Sequence, residues 1–499
     1  MRKVASSTPL LLTLDASSPE PLFRQIYQGI REGILSGRLR GGERVPSTRL
    51  LSTELGVARS TVVLAYEHLV AEGYVTAASS VGSFVADNLP DVSPLPAGVL
   101  PIAPVPAGPR VLAARVREAE RASLGAPTVR RAPVPFRVGE PALDAFPVAI
   151  WETLRRRRAR RRPRALLGYG SRGGFPPLRE AVASYLGAAR GVRVRSEQVL
   201  LVRGAQQAID LVTRTLLDPG SDVWVEDPGY LAARAAFVTS GSRLVPVPVD
   251  GEGLDVAVGR ALAPHARMAY VAPSNQFPLG VTMSLARRLA LLEWAAQVGA
   301  WVVEDDYDSD FRYGGRPITA LQGLDTAQRV IYVGTFSKTL FPALRLGYLA
   351  VPPDLVDAFD RMQQLSDYMS PTVEQAVVAD FLLEGHFARH VRRMRALYQE
   401  RQEALLDTLT RELSGMVRAD VPTSGMHLVA WLESDADDAA ISRVALEAKV
   451  EVPPLSLYCL ERALPPALLL GYAAVPEAQS RRAARLLRGV LDRRLRARA

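Results

Sequence analysis

The sequence predicts two folded regions of different class. A small α+β domain, helices closed by a β-hairpin, is expected over residues 14–86, and a large α/β domain over 135–499. Three observations carry this reading. Apolar residues recur at helical spacing in three short segments near the start and then alternate. Residues 87–134 are crowded with Pro, Gly and Ala and hold no sustained period, as in "NLPDVSPLPAGVLPIAPVPAGPR", which is the composition of a semi-stiff linker. Beyond it, apolar strands alternate with helices, the pattern of a mostly parallel sheet. A short helical stretch, "VLAARVREAERASL", interrupts the linker.

A chain of 499 residues is too long for one core. With 48% hydrophobic and 23% charged residues it reads as an ordinary soluble globular protein. No window reaches the roughly 18 apolar residues of a membrane span, and the opening "MRKVASSTPLLLTLDASSPE" is too soon interrupted by Asp15 for a secretory signal. One cysteine, Cys459, excludes an internal disulfide and fits a reducing cytoplasm; with no histidine near it in sequence, it reads as a packed thiol. Net charge +9 permits a nucleic-acid partner. The run "RRRRARRRPR" (155–164) carries eight arginines in ten positions. A solvated helix face and a phosphate-contacting patch both account for it.

In the small domain, Phe23, Ile26, Ile30 and Ile34 form one helical stripe. "VPSTRLLSTELG" follows, with Ser47 as helix N-cap and Gly56 as stop. A second short helix, "ARSTVVLAYEHLVAEG", restarts at once, giving a helix-turn-helix, and "YVTAASSVGSFV" alternates as a hairpin wing. The first turn of the second helix presents Arg59, Ser60 and Thr61, while Val62, Tyr66 and Leu69 face inward. Short donors and an arginine at a helix N-terminus suit phosphates and base edges of double-stranded DNA; a protein-interaction domain is the alternative. The stretch "VPSTRLLSTELGVARSTVVLAYEHLVAEGY" resembles the winged helix of GntR-type bacterial regulators along its whole length. That resemblance puts Arg49, Arg59, Ser60 and Thr61 where the family contacts DNA and Gly82 at the wing tip. Many relatives have a basic wing; here Ala77, Ala78, Ser79 and Ser80 stand instead.

In the large domain, "QVLLVRGAQQAIDLV", "SDVWVEDPGY", "ARMAYVAPSNQFPLG", "GAWVVEDDYDSDFRY" and "RVIYVGTFSKTLFPALRLGY" are strands that end in polar tips. Ligands bind at such carboxyl ends, where Tyr230, Asn275, Asp305, Tyr307 and Lys338 lie. "DYDSD" imitates a calcium loop, but Phe311 and Pro317 occupy the positions that require Gly and Glu, so no metal is expected. His68, His265, His386, His390 and His427 fit neither metal nor triad spacing.

Lys338 is one of three lysines against 58 arginines. Arginine replaces lysine as a solvated charge but never as a nucleophilic amine. A lysine, a carboxylate and a tyrosine together suit pyridoxal phosphate: an imine, a partner for the pyridine nitrogen, and a bond to the ring oxygen. Its phosphate wants a helix N-terminus, hydroxyls and an arginine, which "GAQQ", Thr335, Ser337 and Arg345 supply.

"FSKTLFPALRLGY" resembles the lysine motif of fold-type I, class I aminotransferases, and the likeness extends from about 135 to the end. The resemblance implies that Lys338 is the Schiff-base lysine, Asp305 the pyridinium partner and Tyr307 the ring-hydroxyl ligand. It makes Gly204, Ala205, Gln206, Thr335 and Arg345 the phosphate cup, Tyr230 the stacking aromatic, and Tyr169 a contribution from the second subunit of a homodimer. Asn275 falls in "PSNQFPLG", where ordinary aminotransferases have Asn-Pro-x-Gly.

A GntR winged helix, a linker and an aminotransferase-like domain together resemble the MocR/GabR group of bacterial transcriptional regulators. The resemblance implies a DNA-binding dimer that senses an amine or amino-acid effector through Lys338, or pyridoxal phosphate itself, with vitamin B6 or amino-acid metabolism as its target. The competing class is a working transaminase with a regulatory arm. Against it, Leu469 in "ALLLGYAAV" stands where class I enzymes carry the arginine that clamps the substrate carboxylate; Arg234 and Arg389 are the alternative sources of such a contact.

Overall fold

The computed structural model describes residues 12–15, 17–78, 82–89, 112–122, 134–161, 166, 168–314, 318–368 and 370–496. The chain divides into two compact units, Met1–Val111 and Leu112–Ala499. Among the described residues no helix is long and apolar enough to cross a membrane.

The first unit holds α1 (Leu22–Leu35), α2 (Thr48–Leu55) and α3 (Arg59–Ala71), then β1 (Val75–Ala78) and β2 (Gly82–Val85), paired antiparallel. Ile26, Ile30 and Ile34 bury the stripe of α1 against Leu51, Val62, Tyr66 and Leu69. Phe23, expected in that stripe, is only half-buried and stacks on His68. Ser47 caps α2 by accepting from Leu50 N–H at 3.1 Å, and Gly56 ends it at φ +64°, a left-handed conformation that costs glycine little.

The second unit is built on an eight-stranded sheet. Its strands are β3 (Val199–Val202), β4 (Asp222–Asp227), β5 (Arg243–Asp250), β6 (Gly253–Leu254), β7 (Met268–Val271), β8 (Trp301–Asp306), β9 (Val330–Thr335) and β10 (Gly347–Ala350). The order is β3-β10-β9-β8-β7-β4-β5-β6, with β10 and β6 antiparallel to their neighbours. Successive side chains alternate between two cores. Val223, Val225, Met268, Tyr270 and Val303 pack on one face, and Trp224, Ala269, Val271 and Val302 on the other. The strand interiors are therefore apolar throughout, and polar chemistry is confined to their ends. Because β3, β4, β7, β8 and β9 run in one direction, their carboxyl ends share one edge.

A three-stranded antiparallel sheet, β11 (Val417–Ala419), β12 (His427–Leu432) and β13 (Ala467–Gly471), forms a further layer. It packs with the helices His386–Glu412 and Glu477–Arg496 through Met394, Tyr398, Leu428, Leu468, Leu487 and Val490. A helix over Ala114–Ala122 matches the one expected inside the linker. The arginine run lies partly in the helix Val148–Arg161, where Arg157 and Arg158 pair with Asp380 and Arg155 with Glu152; residues 162–164 lie outside the described residues.

Candidate functional site

The common strand edge opens onto a cavity of about 450 Å³. Of the residues singled out from the sequence, Ala205, Gln206, Tyr230, Asp305, Tyr307, Thr335, Ser337, Lys338 and Arg345 line it. Four segments deliver them, each the carboxyl end of a strand or the loop that leaves it: β3, β4, β8 and β9. Lys338 Nζ donates to the carbonyl of Gly139 at 2.7 Å, a contact across 199 residues. Burial lowers its pKa below the ordinary lysine value, opposed by the charges of Asp308 and Asp305. The amine thus loses its proton more easily than a solvated lysine.

Asp305 is 5% exposed. Its Oδ2 accepts from the Tyr270 hydroxyl, while Oδ1 is buried with no hydrogen-bond partner among the described residues. Burial raises its pKa to about 6 against the Tyr270 bond, which lowers it. A buried carboxylate oxygen with no donor is costly unless something brings one. Asn275 does not line the cavity. Its Nδ2 donates to the Tyr307 hydroxyl at 3.2 Å and to both oxygens of Asp308 at 2.8 and 3.0 Å, and Ser424 holds its Oδ1 at 3.2 Å. It is a fixing group for Tyr307.

Gly204 precedes the helix Ala205–Leu216 at φ +90°, and no side chain caps the first turn. A Cβ there would lie 3.7 Å from the Arg345 guanidinium, so backbone and arginine approach closely. Thr335 Oγ1 accepts from Ser337 N–H at 3.1 Å. A helix N-terminus, two hydroxyls and a guanidinium are thereby gathered in one place, the donor set of an anion site. Tyr169 stands apart: it is 84% exposed, and its ring meets Tyr368 edge-on at 5.2 Å.

Several cavity residues were not assigned to the site by the sequence reading. Glu226, Asp308 and Glu451 line it, as do Phe277, His427 and Tyr458. Burial lifts Glu226 and Asp308 to about 8 each. The strand-end positions of Glu226 and Asp308 were the available signals; Glu451 and His427 come from the distant small sheet and its connections. The aspartates of "DYDSD" are separately engaged, Asp306 by Arg190 at 2.8 Å, Asp308 by Asn275, and Asp310 by Tyr185. Neither alternative carboxylate clamp reaches the cavity lining. Arg234 is buried and donates to the carbonyls of Glu226 and Tyr458 at 3.0 and 2.6 Å, and the Arg389 guanidinium donates to the Glu384 carbonyl at 3.0 Å.

In the first unit, Arg49, Arg59 and Ser60 are exposed and Thr61 half-buried, with Val62, Tyr66 and Leu69 beneath them in the core. No side chain caps α3; Thr61 N–H donates to the Ala58 carbonyl at 3.0 Å, and the N–H groups of Arg59 and Ser60 before it keep their donor capacity. Gly82 has φ +125°, and a Cβ there would come within 2.9 Å of the Arg44 side chain. The wing is therefore not without a basic group. Arg44 is bridged to Phe84 and supplies one from a segment outside the hairpin. Ser79 and Ser80 lie outside the described residues.

With this geometry in hand, comparison with known proteins is decisive. Residues 132–487 match the class I and II aminotransferase family, and residues 22–85 match the gntR family of bacterial regulatory proteins. A probable rhizopine catabolism regulatory protein, MocR, from Rhizobium meliloti is 40% identical over 468 residues, covering 93% of this chain and 92% of that one. This chain belongs to the MocR-type family of bacterial transcriptional regulators. Another such relative, the pyridoxine biosynthesis transcriptional regulator PdxR of Corynebacterium glutamicum, is 30% identical over 80% of this chain and 81% of its own. Among solved structures, LysN, an α-aminoadipate aminotransferase from Thermus thermophilus complexed with N-(5'-phosphopyridoxyl)-L-leucine, aligns with TM-score 0.68. It is 31% identical, covering 78% of this chain and 97% of that one. The MocR-type regulator is thus an aminotransferase-like α/β domain carried behind a GntR helix-turn-helix.

Proposed function

We propose that this MocR-type regulator holds pyridoxal phosphate in the cavity and uses its occupancy to set DNA affinity. The observation that carries the reading is the pairing of Lys338, an amine whose pKa is lowered by burial, with Asp305, whose buried Oδ1 lacks a donor. The residues fit the group. Lys338 would hold its carbonyl carbon, Asp305 its ring nitrogen, Tyr307 its ring hydroxyl with Asn275 steadying that tyrosine, and Tyr230 its ring face. Gly204, Ala205, Gln206, Thr335, Ser337 and Arg345 would hold its phosphate. When bound, the group supplies an electrophilic carbon that captures primary amines. The protein's own part is to keep the Lys338 amine poised, to keep Asp305 charged beside the ring nitrogen, and to exclude water from both.

The exposed Tyr169 supports a homodimer in which it reaches the cavity of the second subunit. Arg49, Arg59, Ser60, Thr61 and the wing at Gly82 would contact operator DNA, with Arg44 alongside. The similarity to the pyridoxine biosynthesis regulator supports pyridoxal phosphate as the signal. The cavity groups left over once the cofactor's contacts are assigned support an amine effector acting with it. A ligand of either kind acts only by binding one arrangement of the protein more tightly than another. Full transaminase activity is disfavoured by Leu469, which is buried and apolar.

The test begins with Lys338→Ala, which should abolish the visible absorption band that pyridoxal phosphate gives with the purified protein. An unchanged spectrum refutes the site. Binding of cofactor-free protein to its own upstream DNA, with and without pyridoxal phosphate, then separates the versions. A change with cofactor alone identifies the cofactor as signal, and no change until an amine is added identifies the amine. Absence of DNA binding altogether returns the transaminase to the front.

A further inference from the structure

Once Lys338, Asp305, Tyr307, Tyr230 and the phosphate cup are assigned to the cofactor, one part of the cavity lining remains. It consists chiefly of Phe277, His427, Glu451, Pro453 and Tyr458. Its aromatic members meet at Phe277, whose ring lies 5.1 Å from Tyr458, 5.3 Å from His427 and 6.0 Å from Tyr230.

Three polar groups break this apolar surface: Glu451 and His427, which accept hydrogen bonds, and the Tyr458 hydroxyl, which can donate or accept. Glu451 is 8% exposed. Its Oε2 accepts from Arg137 Nε at 3.1 Å, while its Oε1 is buried with no partner among the described residues. Arg137 does not line the cavity and also faces Glu140 at 3.1 Å, so one guanidinium serves two carboxylates, with its Nη2 buried and without a partner among the described residues. His427 Nε2 lies 2.9 Å from the carbonyl of Pro278. A carbonyl can only accept, so Nε2 carries the proton. Burial lowers this ring to about 4, so at neutral pH Nδ1 is left as an acceptor.

The positive side of the balance is short. Among the described residues lining the cavity, Lys338 and Arg345 are the cations, and both are taken by the cofactor reading. Leu469, at the position of the carboxylate clamp, is fully buried among Leu231, Val429, Leu455, Tyr458 and Ala467. Its N–H is bonded to the carbonyl of Pro453 at 2.8 Å, so this strand is fixed against the segment that carries Glu451. A ligand carboxylate placed here would lose water, meet no cation of the lining that the cofactor leaves over, and confront Glu451.

We infer that the effector is a primary amine without a carboxylate, carrying a second hydrogen-bond donor, best a second ammonium, that Glu451 Oε1 receives. This rests on the cofactor reading above and names the ligand class for the same site. The aromatic and apolar walls take the carbon skeleton, and Glu451 and His427 read the far end of it.

The experiment uses full-length protein loaded with pyridoxal phosphate and follows the visible band during titration with putrescine, n-butylamine and γ-aminobutyrate. These share a four-carbon chain ending in ammonium, methyl and carboxylate; L-alanine serves as the α-carboxylate probe. The putrescine midpoint should lie about tenfold or more below those of γ-aminobutyrate and L-alanine, the worth of one charge-assisted hydrogen bond. In Glu451→Gln the putrescine midpoint should rise about tenfold and the n-butylamine midpoint move by less than about twofold, a selectivity that general damage to the fold does not produce. If γ-aminobutyrate or L-alanine titrates as low as putrescine in the unmodified protein, the inference is overturned, whatever the variant does. The same holds if putrescine keeps its advantage in Glu451→Gln. Failure of the underlying reading looks different: no visible band forms with pyridoxal phosphate, or Lys338→Ala retains it, and the inference falls with that reading.

Discussion

Replacing Asp305 by Asn should move stability and cofactor affinity in opposite directions. In cofactor-free protein the carboxyl is buried, with Tyr270 on Oδ2 and nothing on Oδ1. Its pKa is raised from 3.8 to about 6. A group raised in the fold contributes its stability below the unfolded value and loses it as pH climbs through the folded one. Above pH ~6 the ionised carboxylate therefore costs about 3 kcal/mol, two units at roughly 1.4 kcal/mol each. Asparagine keeps an oxygen for Tyr270 and carries no charge, so the cofactor-free variant should be more stable than the wild type at pH 8 by up to that amount. The gain should vanish at pH 4, where aspartate is protonated. Pyridoxal phosphate affinity should fall by about 1.5–3 kcal/mol, the worth of a charge-assisted bond, or roughly 10- to 150-fold. Thermal unfolding at the two pH values and a spectroscopic cofactor titration measure both effects. A variant that binds cofactor as tightly as the wild type, or is less stable without it at pH 8, would refute the assignment of Oδ1 to the ring nitrogen.

Further expectations follow from the same structure. Glu226 is raised from 4.5 to about 8 by burial, so its stabilising contribution is complete below pH ~4.5 and lost through pH ~8. Glu226→Gln should therefore raise the Tm of cofactor-free protein at pH 9 and leave it nearly unchanged at pH 5; an equal shift at both would remove the charge argument. Arg59→Ala should weaken operator binding and reduce the slope of log affinity against log salt by about one, with the visible band intact. An unaltered slope would take Arg59 off the phosphate-contacting surface. Ser47→Ala removes the cap that accepts from Leu50 N–H at 3.1 Å and should cost about 1 kcal/mol in urea unfolding of the first unit. No loss would mean that water replaces the cap.

The sequence by itself determined the local elements and the chemistry they present. Ser47, Gly56 and the isoleucine stripe act within a few residues of themselves, so spacing alone locates α1 and α2. Runs such as "WVVEDD" mark where a buried strand reaches the sheet edge and turns polar. Lys338 stood out because only three lysines survive among so many arginines, and an amine is the one property arginine cannot supply. What only the tertiary structure decided are pairings between distant positions, which leave no period to read. Glu451 meets Arg137 across 314 residues, and Lys338 meets the Gly139 carbonyl across 199. The aspartates of one short motif look alike in sequence. Packing sends Asp306 to Arg190, Asp308 to Asn275 and Asp310 to Tyr185. Arg44 reaches the wing from outside the hairpin, because β2 bridges back to the strand-like segment before α2. Burial, which raises Glu226 and lowers Lys338, is likewise a property of the assembled core, since it depends on which distant side chains exclude water from each group.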